Sequence, residues 1–301
     1  MTFRSISVVP MALAGAAVVA LSGCAPSTPQ ANEDWDTVSI ADYSHLTARL
    51  NYETGAVDLP LDDVRAVSPE VASKSRRAIW AVADSCMADH GFPRVSADAS
   101  WPAVAPDEDR LYGRWSTLLA SQFGAVPSPT TLEGFRIDTV SRGVAYNTQL
   151  TDCWSGMQEV LGDELSFIES TSNIDYQVYR QAARATLDSA EGKAALAKRT
   201  ACMEAMGIVV DTETSMPSSE YGAGERADET MLRVAIGAAQ CGQDTGAMQE
   251  LYDITARYQA AYIDQRETQF VALQERAAAV EARLDDVLRD PDTVWGARNE
   301  E

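Results

Sequence analysis

Four cysteines carry the plainest chemistry in this chain. Cys86, Cys153, Cys202 and Cys241 lie in the body of a 301-residue sequence whose only histidines are His45 and His90. Cys86-Met87-Ala88-Asp89-His90-Gly91-Phe92 and Cys202-Met203-Glu204-Ala205-Met206-Gly207-Ile208 share the pattern Cys-Met-x-x-x-Gly-apolar. Each copy follows a helical run and has one further Cys downstream. An even set of cysteines outside the reducing cytoplasm reads as a disulfide framework. Three connectivities exist, and the repeat favours Cys86–Cys153 with Cys202–Cys241. The competing chemistry is a zinc site of four thiolates, but no Cys-x-x-Cys knuckle is present to build it. No metal or cofactor is expected. Cys86 and His90 stand four apart on one helix face, as a thiolate and its base would, and a disulfide at Cys86 makes that pair inert.

Ser-based hydrolase, P-loop, dinucleotide and EF-hand signatures are missing from the sequence. Phe167-Ile168-Glu169-Ser170 contains a Glu-Ser dipeptide of the kind found in transglycosylase-like wall enzymes, where a buried Glu is the general acid. The rest of that motif set is lacking, so Glu169 is the alternative catalytic residue rather than the leading one. Trp101, Tyr112, Arg114 and Trp115 are the candidate binding residues, with Arg110, Phe123, Phe135 and Arg136 nearby. Planar apolar faces with polar rims suit a sugar or a peptide. The competing role for the same rings is to close the core of a loop-rich repeat.

The fifth cysteine sets the expected location. Arg4 precedes an apolar run from Ile6 to Leu21, which ends in Leu21-Ser22-Gly23-Cys24. This resembles the lipobox of bacterial lipoproteins, and it implies removal of residues 1–23 and acylation of Cys24. Residues 24–38 then read as a polar tether. Cleavage would leave 278 residues with 23 basic and 45 acidic side chains, a formal charge of −22. Such a surface repels nucleic acid and anionic lipid headgroups alike. Acyl chains, at about 0.8 kcal/mol per buried CH₂, are therefore the expected hold on the membrane.

The elements that must position these residues are mostly helical. Ser68-Pro69-Glu70 combines a capping hydroxyl, Pro at the first helical position and an acid in the first turn. Apolar residues then recur at helical spacing to Cys86, and Gly91 supplies a left-handed stop. Asp188-Ser189-Ala190-Glu191 has capping-box spacing for the second Cys-Met helix, which Gly207 closes. Pro93 to Pro129 and 208–226 read as irregular loops in equivalent places, which supports an internal duplication. A short helix runs from Asp228 towards Cys241. Ala247 to about Asp290 has neither Pro nor Gly and predicts one helix of about 65 Å. Its expected role is a core helix packed back on the rest, with bridging or pairing in trans as the alternatives.

Asp58-Leu-Pro-Leu-Asp62, Ser68-Pro69-Glu70, the two Cys-Met-x-x-x-Gly motifs and Val234-Ala235…Gln240-Cys241 together resemble a family of uncharacterised exported lipoproteins of actinobacteria. The resemblance covers most of residues 55–290. Those relatives often carry Trp a few positions before the second Cys-Met, where this chain has Arg199. The resemblance implies location and disulfides, and no established activity. The expectation is a mainly α protein of two helical, disulfide-stapled repeats with loop-rich insertions and a long C-terminal helix. The repeats fall at 39–170 and 171–301. The expected setting is the outer face of the plasma membrane, with a non-catalytic binding or scaffolding role. Its expected partners are the membrane lipid, an envelope protein or wall polymer, and no nucleic acid. The alternative is a carboxylate-based, glycan-cleaving wall enzyme.

Overall fold

A computed structural model of the chain describes residues 35, 38–96, 99, 101, 108–125, 139–170, 172–221 and 228–297. The signal segment 1–23, Cys24, nearly all of the tether, and Phe135 and Arg136 lie outside these residues. The protein is mainly α and carries two disulfides. Among the described residues the α-helices are α1 (Pro69–Asp89), α2 (Thr117–Phe123), α3 (Val144–Ile168), α4 (Ile174–Asp188), α5 (Ala190–Ala205), α6 (Glu229–Asp244), α7 (Ala247–Gln265), α8 (Glu267–Arg289) and α9 (Pro291–Ala297). A small antiparallel hairpin, β1 (Arg49–Leu50) and β2 (Val57–Asp58), precedes them in register Arg49↔Asp58.

The first cap forms where the sequence places it, and the second is corrected by one residue. Ser68 Oγ accepts from Val71 N at 3.2 Å at the start of α1, with Pro69 as the first helical residue. In the second repeat the capping hydroxyl is Ser189, which accepts from Gly192 N at 2.9 Å. Asp188 instead ends α4, so a single residue separates α4 from α5. Asp228 Oδ1 caps α6 through Met231 N at 2.8 Å. The stretch from Pro93 to Pro129 is not wholly irregular, because Ser116 caps α2 within it.

The two Cys-Met motifs have the same physical meaning. Phe92 N donates to Met87 O at 2.9 Å and Gly91 N to Ala88 O at 2.9 Å. Ile208 N donates to Met203 O at 3.0 Å and Gly207 N to Glu204 O at 2.9 Å. Both ends are Schellman caps, with Gly91 at φ +78° and Gly207 at φ +76°. Met87 and Met203 supply the apolar residue inside the helix end, and both are fully buried. The preceding cysteine ties that end to a second helix. Cys86 pairs with Cys153 of α3 and Cys202 with Cys241 of α6, across separations of 67 and 39 positions. Loop-closure entropy makes each worth about 4 kcal/mol in the chain-entropy picture.

The 65 Å helix is corrected to two. Arg266 leaves helical geometry at φ −123°, ψ 25°, between α7 and α8. Its guanidinium lies over the Tyr262 ring at 5.7 Å. The halves differ in burial. α7 buries a wide arc that includes Leu251, Tyr252, Ile254, Thr255 and Ala256, and leaves the narrower face of Glu250, Asp253, Arg257 and Asp264 partly or fully exposed. α8 buries one stripe, Phe270, Leu273, Val280, Leu284 and Val287, and packs it on α1. The turn at Arg266 thus divides a core helix from a covering helix.

Thr37–Glu301 form one compact unit. One of its buried clusters joins Met248, Leu251 and Tyr252 of α7 to Trp115, Tyr112 and Leu59. The N-terminal segment is held on α7 by polar side chains. Asp253 Oδ1 accepts from Ala48 N at 2.8 Å, and Gln259 Oε1 accepts from Leu61 N at 3.1 Å. The spans 39–170 and 171–301 share this one core. Among the described residues no helix is long and apolar enough to cross a membrane.

Candidate functional site

Tyr112, Arg114 and Trp115 are interior residues, 3%, 5% and 1% exposed, which corrects their assignment to a binding surface. Trp115 packs edge-on against Tyr52 and Tyr252 and donates Nε1–H to Asp109 O at 3.0 Å. Arg114 forms a bidentate pair with Glu108 at 2.6 Å on both arms, and its NH1 donates to Gly124 O. The rings were attractive because aromatic side chains serve cores and ligands equally well, and spacing alone does not separate the two. Trp101 lies apart from them, beside Arg77, Arg94 and Ser96.

The other chemical candidates are likewise occupied or exposed. All four body cysteines are in disulfides, so Cys86 offers no thiolate to His90 or to a metal. His90 Nδ1 instead lies 2.9 Å from the Cys86 carbonyl oxygen. Glu169 is the exposed C-cap of α3, whereas the general acid expected at the Glu-Ser dipeptide is a buried Glu.

What the structure does form is a trough between the N-terminal segment, the start of α1, the Glu108–Arg110 loop and α4. Its larger chamber, about 530 Å³, is lined by Asp58, Asp62, Ser68, Glu70, Asp109 and Tyr179, among others. A second chamber of about 280 Å³, more apolar, is lined by Leu61, Val67, Ile168 and Tyr176. Arg65 and Tyr179 line both chambers. Asp58-Leu-Pro-Leu-Asp62 and Ser68-Pro69-Glu70, the motifs behind the family resemblance, thus meet at one cavity.

Hydrogen bonds fix the trough's walls. Asp62 Oδ2 accepts from Leu59 N at 2.8 Å and its other oxygen meets Arg65 at 2.5 Å. Burial outweighs these contacts and raises the Asp62 carboxyl above its ordinary value. Asp109 Oδ1 accepts from Tyr252 Oη at 2.6 Å and from Leu111 N at 2.9 Å. Behind it, Tyr112 Oη and Thr255 Oγ1 are hydrogen-bonded at 2.5 Å, and Thr255 meets Thr186 at 3.0 Å. Burial pushes the Tyr112 hydroxyl up to about 12 and the Tyr252 and Tyr179 hydroxyls well above their usual range. All three stay neutral under ordinary conditions and keep their protons.

Arg110, named from the sequence beside the aromatic loop, lines the larger chamber, whereas Asp58, Asp62, Ser68 and Tyr179 were not named as ligand contacts. The signal that could have found them was the clustering of Asp, Arg and Pro between 58 and 70, next to a strong helix start. No protein-family model, curated protein or solved structure matches this chain.

Proposed function

We propose that this chain is a lipid-anchored envelope protein that binds a ligand without transforming it, and that the ligand seat is the two-chamber trough at Arg65 and Tyr179. One observation carries the reading. The trough's inner carboxylates already accept from protein donors, Asp62 from Leu59 N, Glu108 from Arg114 and Asp109 from Tyr252. That arrangement holds the walls in place before a ligand arrives, which lowers the ordering cost of binding. The Leu21-Ser22-Gly23-Cys24 sequence and the resemblance to exported actinobacterial lipoproteins support the anchor.

The test uses the soluble chain beginning at Ala25, incubated with labelled sacculi. Retention of the protein, without release of label, and loss of retention in Tyr179→Ala support a wall-binding trough. Released fragments that vanish in Glu169→Gln would replace this reading with an enzyme. Retention unchanged in Tyr179→Ala would place the binding surface elsewhere. In cells, Cys24→Ala should leave a folded protein that no longer fractionates with membranes.

A further inference from the structure

Arg199 is a cation with nowhere conventional to put its charge. It is 1% exposed on α5, and among the described residues no carboxylate pairs with it. NH1 donates to Tyr112 O at 2.7 Å, while Nε has no partner. Burial lowers the guanidinium to about 10, so it remains charged at neutral pH. The other atom within reach of NH1 is the sulfur of Met216, at 3.9 Å. A thioether is a weak acceptor for so strong a donor.

Met216 is delivered to this place by its own loop. Val210 and Pro217 form an antiparallel bridge, and Asp211 N donates to Met216 O at 2.8 Å. Asp211 Oδ1 accepts from Glu213 N, Thr214 N and Thr214 Oγ1 and closes the turn. Ser215, the residue before Met216, takes the left-handed φ of +55°, unusual for a side chain other than Gly. The thioether rests on Gly113, whose φ is +83°; a Cβ there would fall 2.1 Å from Met216 Cε. Met216 is half-buried, so its sulfur belongs to a surface loop while facing a buried cation.

We propose that Met216 is an oxidation site whose sulfoxide is held by Arg199. The sulfur lone pair attacks one oxygen of hydrogen peroxide and the O–O bond breaks. The S–O bond forms, sulfur loses two electrons, and the departing oxygen leaves as water after taking both protons. The new oxygen is a strong acceptor, and the roughly 1 Å between 3.9 Å and hydrogen-bond range is less than one S–O bond, so the oxygen can reach NH1. Sulfoxide formation usually disrupts the packing around a methionine. Here it gives the buried guanidinium the acceptor that the reduced protein withholds. The disulfides fit an oxidising compartment in which such chemistry occurs.

The experiment treats the soluble chain with hydrogen peroxide, maps oxidised methionines by peptide mass, and measures Tm for wild type, Met216→Leu and Arg199→Met. Met216 should gain one oxygen while the fully buried Met87, Met203 and Met248 do not. Wild-type Tm should hold or rise relative to Met216→Leu treated alike, which cancels oxidation at the exposed Met206. In Arg199→Met the same treatment should lower Tm by about 2–4 °C, the effect of roughly 1 kcal/mol in a chain of this size. If Arg199→Met does not fold, limited proteolysis of wild type decides: cleavage within 208–221 should not increase on oxidation. Met216 left intact while Met206 is consumed, or oxidation that lowers wild-type Tm or opens the loop, would overturn the proposal.

Discussion

Superimposing Cys86 on Cys202 in sequence sets Ala83 against Arg199, Trp80 against Leu196 and Asp84 against Thr200. The two helix ends are alike in backbone: the same Schellman bonds, the same buried Met, the same left-handed Gly. They differ in how the following loop is held. In the first, Asp84, 3% exposed, accepts from Val95 N, Ser96 N and Ser96 Oγ at 2.7–3.0 Å and ties the loop back to its own helix. In the second, Arg199 reaches outward to Tyr112 O and Met216 and ties two distant loops together. A buried anion satisfied by three donors and a buried cation with an idle Nε occupy adjacent steps of the same motif. The lesson is that the Cys-Met-x-x-x-Gly pattern specifies a helix end and a staple, and leaves the neighbouring positions to divergent use.

Four experiments would break or sharpen this contrast. The largest effect should come from the staples. Cys86→Ser with Cys153→Ser, and Cys202→Ser with Cys241→Ser, should each cost about 4 kcal/mol in urea denaturation, the first pair slightly more because its loop is longer. Equal and negligible losses would mean the helix ends hold without their disulfides. Next, Asp84→Ala should cost about 3 kcal/mol, because two backbone N–H groups lose their acceptor. Arg199→Met should be near neutral or stabilising, since it removes an uncompensated buried charge and keeps the volume. Similar losses for both would erase the distinction between the loops. Gly91→Ala and Gly207→Ala should each cost about 1 kcal/mol from left-handed strain, as open space surrounds both. Gly113→Ala should cost more than either, because it also displaces Met216.

The smallest effect concerns acid. Asp292 accepts from Ser85 Oγ at 2.6 Å and from Arg94, and these contacts lower its carboxyl below the ordinary 3.8. A lowered folded value means the stabilisation is complete above the unfolded value and disappears as pH falls through the folded one. Below about pH 4, α9 should loosen from α1 and expose Trp295, which is buried and donates to Asp89. Tryptophan fluorescence against pH would read this, and Asp292→Asn should flatten the profile. An unchanged profile would assign the docking of α9 to Trp295 alone.

Local signals were legible wherever the cause was local. Ser68 caps its helix through its own side chain, the second cap falls one residue past the expected Asp188, at Ser189, and Gly91 and Gly207 end helices through their own φ. The disulfide pairing followed from the repeat, because each Cys-Met end needs a partner helix supplied by the chain that follows it. The break at Arg266 was not legible, because neither Pro nor Gly marks it. α7 is buried over a wide arc and α8 along one stripe, and that difference is set by elements far away in sequence. The aromatic loop was misplaced for the same reason: Tyr112 and Trp115 become interior only when α7 arrives beneath them.

The amino-acid sequence by itself determined the helix ends, their staples and the strongly acidic charge, since these depend on residue type and on spacing of a few positions. The tertiary structure alone decided that Asp58, Asp62, Ser68 and Tyr179 share one trough and that Arg199 meets Met216. Both meetings depend on N-terminal and loop segments lying against the helices, and the contacts that fix them join residues brought close only when the core closes around α7.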